Sequence, residues 1–132
     1  GLMAIFGAPN ALDNPAAAAT AAARDMMARL RELNAELVAE GGAAITIGIT
    51  MASGEAVVGN VGSRDRFNYT ALGDGANVAS RLQEVSKGTG YPVVATAALV
   101  AEAGEVDAWK SLGRVPIRGH ADVSVCGWRP EA

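Results

Sequence analysis

Cysteine and histidine are almost missing from this 132-residue chain, which has one of each, Cys126 and His120. A single cysteine excludes an internal disulfide and a cysteine-built zinc cluster. A solitary histidine is more often an ordinary surface or core residue than a ligand. Aromatic side chains are scarce as well, at 5% of residues, although half of the chain is apolar. That balance describes an alanine- and glycine-rich globular protein rather than a disordered one. Nor is there an excess of positive charge: eleven Lys and Arg face fourteen Asp and Glu, for a net charge of -3. Bulk attraction to nucleic acid or anionic lipid is therefore excluded, and a phosphate ligand requires a local cationic site. No segment has the length and apolarity of a membrane span, because the alanine tract at 16–23 is short and soon followed by charge. No signal-peptide pattern is present. A cytoplasmic setting is expected, with or without a membrane anchor elsewhere in a parent protein.

The length predicts one domain, residues 1–132. The apolar run at 2–6, closed by Gly7 and Pro9, predicts a covered strand. Asn14 followed by Pro15 is a helix start, and Gly41-Gly42 is a stop, so one long helix is expected over 15–40. Met26, Leu30, Leu33 and Leu37 are its expected buried face. Ile45, Ile47 and Ile49 alternate with polar residues, predicting a strand whose hairpin partner runs over 56–61 after a turn at Ser53-Gly54-Glu55. Gly59-Asn60-Val61-Gly62-Ser63 lacks the spacing and lysine of a phosphate-binding loop and reads as a strand end. Later come a strand at 92–95, a short helix capped by Thr96, and strands near 109–117 and 123–128. The expected architecture is α+β, a mixed sheet covered by helices on one face.

Polar chemistry concentrates at 66–81. Apolar alternation through Phe67 and Tyr69 predicts a strand, Gly73-Asp74-Gly75 breaks it, and Asp74 caps a helix expected to reach about residue 86. Val78, Leu82 and Val85 form the buried stripe of that helix, and Asn77 and Arg81 stand four apart on a neighbouring face. Taken alone, this pair is more simply an exposed helix pair than a site. Arginine is nonetheless the side chain best shaped to grip a phosphoryl group at two points, and asparagine can hold a sugar hydroxyl. Thr70 is explained by β-propensity but can also hydrogen-bond a base edge. Arg118 and His120 read as solvated loop residues that could add charge to a phosphate pocket.

Three segments in this order, 1–9 (Gly-Leu-Met-Ala-Ile-Phe-Gly-Ala-Pro), 57–63 (Val-Val-Gly-Asn-Val-Gly-Ser) and 69–82 (Tyr-Thr-Ala-Leu-Gly-Asp-Gly-Ala-Asn-Val-Ala-Ser-Arg-Leu), resemble the class III adenylyl and guanylyl cyclase catalytic domain. The resemblance continues through Leu112-Gly113 and Ile117-Arg118-Gly119. It implies a ferredoxin-like α+β fold, here lacking its first strand and helices, so that the chain is the C-terminal part of such a domain. It also implies a head-to-tail dimer, most simply a homodimer, whose active sites lie between protomers. One protomer supplies two aspartates for Mg2+ or Mn2+ and the other supplies an asparagine and an arginine. By that resemblance Asn77 positions the ribose of ATP and Arg81 stabilises charge on the α-phosphate. Thr70 reads the purine in the adenine-type manner, and Arg118 or His120 meets the terminal phosphates, where the family often carries a lysine.

The departures narrow the reading. The resemblance puts the first metal aspartate well upstream of this chain, the second immediately before Gly1, and the purine-reading lysine a few residues earlier. Asp13, Glu55 and Asp74 read as turn or cap residues, so no metal ligand is expected within the chain. The implied activity is conversion of ATP to 3′,5′-cyclic AMP and pyrophosphate in intracellular signalling, by the intact parent and not by this fragment alone. Two alternatives stay open: a cyclase-like regulatory or nucleotide-binding module without turnover, and a guanylyl cyclase.

Overall fold

The computed structural model describes residues 1–7, 10–54, 57–60, 69–72, 74–119 and 121–130, with only the backbone of 57–60, 69–72 and 74. Helix α1 runs over Pro15–Ala39. Asn14 caps its start, the side-chain oxygen accepting from the Ala17 amide at 3.0 Å. At the other end the Gly41 amide donates to the Val38 carbonyl and the Gly42 amide to the Leu37 carbonyl. Gly41 sits at φ +87, the left-handed conformation that this double-bonded helix end requires.

A four-stranded sheet forms the centre, in the order β1 (Ile49–Met51), β4 (Val93–Thr96), β6 (Val123–Trp128), β5 (Lys110–Val115). β1 lies parallel to β4, with Thr50 opposite Val94, while β4 with β6 and β6 with β5 are antiparallel. β2 (Val57–Asn60) and β3 (Tyr69–Leu72) pair antiparallel as a separate ribbon. Helix α2 covers Asp74–Thr89 and α3 covers Ala97–Glu102, followed by a 3-10 turn at Val106–Ala108.

Neighbouring residues on a strand point to opposite faces, and the core divides accordingly. Met51, Val93 and Ala95 face Ala16, Ala19 and Ala23 of α1 and Leu99 and Val100 of α3, with Trp109 beside them. Val94 and Val125 face Val78 and Leu82 of α2, with Ile117 completing that cluster. Helices thus lie on both faces of the sheet, not on one as the sequence predicts. Gly127 is demanded by packing, because a Cβ there would lie 2.7 Å from the Tyr91 ring and 2.9 Å from Leu112.

Several other expectations are corrected. Residues 2–6 are not a strand: Leu2 and Met3 are exposed, and no strand among the described residues pairs with them. Among the described residues the expected hairpin between 45–50 and 56–61 does not form. β1 instead joins the edge of β4, where Ile49 and Met51 reach the α1 side of the core, and β2 takes β3 as partner. On α1 the buried positions are Ala16, Ala19, Thr20 and Ala23, whereas Met26 and Leu33 are exposed and Leu30 and Leu37 only half-buried. The helix is turned so that Asn34 meets the chain: its side-chain amide bonds both the carbonyl of Ile45, at 2.9 Å, and the amide of Ile45, at 2.7 Å. Finally, α2 continues three residues past 86, with the Thr89 hydroxyl donating to the Val85 carbonyl at 2.7 Å.

Candidate functional site

α2 is amphipathic, and its apolar stripe decides where its polar residues go. Val78 and Leu82 are buried against Val94 and Val125, and Ser86 is buried one turn on, its hydroxyl donating to the Tyr91 carbonyl at 2.7 Å. Burying that stripe turns Asn77 and Arg81 outward, where both are exposed. Among the described residues, neither side chain has a hydrogen bond, ion pair or ring contact within the chain. An amide and a guanidinium therefore stand one helical turn apart, their donors uncommitted among the described residues.

The helix is held from behind by β1 and the turn after it. The Thr50 hydroxyl donates to the carbonyl of Ala79 at 2.6 Å. One turn earlier, Gly75 packs against the backbone of Ser53 and Gly54, and near the other end Gly48 lies against the Ser86 side chain. Sequence reasoning missed Thr50. It reads there as one polar position in an alternating strand, and only the register against α2 reveals its partner.

Thr70 lies in β3 opposite Gly59, four residues before α2 begins at Asp74. Arg118 is exposed and directly follows Ile117, whose side chain is buried in the same cluster as Val78 and Leu82. The turn that carries Arg118 is thereby fastened to the α2 side of the sheet. His120 lies outside the described residues. Among those residues no group of three His, Cys, Asp or Glu is placed to hold a metal ion.

The titration anomalies lie elsewhere. Burial works against ionisation of Glu105, but hydrogen bonds from Arg24, Thr20 and Trp109, together with the Arg24 charge, outweigh it and hold the carboxyl below its ordinary value. Burial pushes the Cys126 thiol up, which makes it a packed residue and not a nucleophile. Both sit on the α1 side of the sheet, away from Asn77 and Arg81.

A family model, the adenylate and guanylate cyclase catalytic domain, matches residues 1–126. The chain belongs to that family. Two curated relatives of this cyclase domain, Rv1319c of Mycobacterium tuberculosis and Mb1353c of Mycobacterium bovis, are each 42% identical over 120 residues and are described only as uncharacterized proteins. Those alignments take in 89% of this chain and 21% of each relative, so the chain spans about a fifth of their length. The crystal structure of the guanylyl cyclase Cya2 superposes with a TM-score of 0.78 at 30% identity, covering 92% of this chain and 61% of that one. The adenylyl cyclase CyaB from P. aeruginosa also gives 0.78, at 24% identity, over 96% of this chain and 66% of its own, a likeness of fold. The α+β cyclase fold is therefore shared, with a four-stranded mixed sheet at its centre.

Proposed function

We propose that this chain is one half of a composite adenylyl cyclase site, in which Asn77 and Arg81 act on ATP beside residues of a second protomer. The observation that carries the reading is the outward, uncommitted Asn77 and Arg81 pair on α2 of a cyclase-family domain. In the cyclisation the ribose 3′-hydroxyl gives up its proton to solvent and its oxygen bonds to the α-phosphorus, while the bond to the departing pyrophosphate breaks. The Asn77 amide holds the ribose so that the 3′ oxygen stays in line. The Arg81 guanidinium bonds two oxygens of the α-phosphate, where negative charge is redistributed in the transition state. By the family resemblance, the adenine edge is assigned to Thr70 and the terminal phosphates to Arg118 or His120. Mg2+ or Mn2+ belongs to the proposal as a requirement of the intact protein, and none of the steps assigned to these residues runs through it.

The test is direct. Intact protein with ATP or GTP and Mn2+ is expected to yield cyclic AMP well in excess of cyclic GMP, and the isolated 132-residue chain neither. Cyclic GMP as the main product would overturn the adenine assignment. No cyclic product from either nucleotide would favour the module without turnover.

A further inference from the structure

We infer that Thr50 is a positioning residue for the cyclisation, acting through α2. The inference rests on the roles proposed above for Asn77 and Arg81. The Thr50 hydroxyl donates to the Ala79 carbonyl at 2.6 Å, and Ala79 lies midway between the two site residues in sequence. With about 100° per residue, Asn77 and Arg81 are about 40° apart around the helix, and Ala79 is about 160° round from either. The bond therefore grips the back of the turn whose front presents the pair.

Three contacts run along that back. Gly48 meets Ser86, Thr50 meets Ala79, and Ser53 with Gly54 meets Gly75, so the strand and its turn follow α2 in the opposite direction. The first and last are packing contacts that tolerate sliding. Only the Thr50 hydrogen bond has a fixed length and direction, and it lies at the level of the site. Apolar packing of Val78 and Leu82 keeps the helix on the sheet but is non-directional, and leaves its rotation and sliding less closely defined. The proposed chemistry is sensitive to that freedom, because a misplacement of about 1 Å at a reacting group can cost about 100-fold in rate. Thr50 itself is half-buried and its hydroxyl is committed to the Ala79 carbonyl, so it acts through the helix.

The test uses the intact protein with Thr50→Val, which keeps the shape and removes the donor, and Thr50→Ser, which keeps the donor. Arg81→Ala is the reference. Thr50→Val is expected to lower kcat about 10-fold with the KM for ATP within about twofold, and to speed amide exchange over residues 77–83 in the substrate-free protein. Thr50→Ser is expected to retain at least about half of kcat and wild-type exchange. Unchanged kcat in Thr50→Val, or a fall in Thr50→Ser as deep as in Thr50→Val, overturns the inference. A loss that merely tracks the fraction of folded protein does so too. Should Thr50→Val fold poorly, Thr50→Ala carries the same comparison. An impaired Arg81→Ala beside a normal Thr50→Val removes only the role of Thr50. A normal Arg81→Ala removes the reading of the site itself.

Discussion

The two faces of the central sheet are held in different ways. On the α1 side, Glu105 accepts hydrogen bonds from both Arg24 nitrogens, from Thr20 at 2.7 Å and from Trp109 at 3.2 Å, joining α1 to the segment that follows α3. Asn14 adds a bond to the carbonyl of Glu102 at 3.0 Å. On the α2 side there is no such charged network among the described residues. Apolar packing and the hydroxyls of Thr50 and Ser86 hold the helix, and Asn77, Arg81, Gln83, Glu84 and Lys87 are exposed. One face spends its polar groups on itself, the other keeps them available. On the role proposed for Asn77 and Arg81, stability and chemistry fall to separable sets of residues, and mutations can pull the two apart.

The largest effect on folding is expected from Leu82→Ala. Leu82 is fully buried at the centre of the α2 cluster, and its truncation should cost about 3 kcal/mol through lost transfer energy and the cavity left behind. Urea unfolding gives the value. A cost below about 1 kcal/mol would mean that α2 is not packed as described.

Glu105→Gln should cost less, about 1 to 2 kcal/mol at neutral pH, because Arg24 is partly solvated. Its pH dependence has a definite sign. The folded carboxyl resists protonation more than the unfolded one, whose ordinary value is 4.5, so its contribution is present at neutral pH and lost as pH falls through and below that value. The stability gap between wild type and Glu105→Gln should accordingly narrow in acid, and a gap that widens there would contradict the network. Turnover per folded molecule should stay near wild type, which sharpens the contrast between the faces.

The smallest effect is expected at Leu33. Although the helical pattern puts it on the core face of α1, it is exposed, so Leu33→Gln should shift stability by no more than about 0.5 kcal/mol. A loss near 3 kcal/mol would restore the face read from the pattern.

That last case marks where sequence and structure part. Asn14, Thr96 and Gly41 speak for themselves because capping is local: each acts on amides or carbonyls a few residues away. The edges of α1 and α3 and the whole of β6 follow from such signals. Strand partnership is not local. Nothing near Ile49 says whether its neighbour is Val93 or residues 56–61, and the choice of β4 rests on a core assembled from α1 and α3. Likewise, the alanines at 16, 19 and 23 look like weak helix filler, yet their small size is what lets α1 approach the sheet, while the larger Met26 and Leu33 stay outside. Of the site, Asn77 and Arg81 were legible as neighbours on one helix face. That their donors meet no partner among the described residues, and that the Thr50 hydroxyl bonds Ala79 on the same helix, are facts of packing between elements.

The central claim is that the exposed face of α2 serves catalysis and not stability. It is tested most directly by measuring kcat, the KM for ATP and the thermal midpoint of Arg81→Ala in the intact protein. The account predicts a fall in kcat of about 100-fold or more, KM within a few-fold and a midpoint within about 2 °C of wild type. Wild-type turnover, or a loss of activity explained by unfolding, would contradict it.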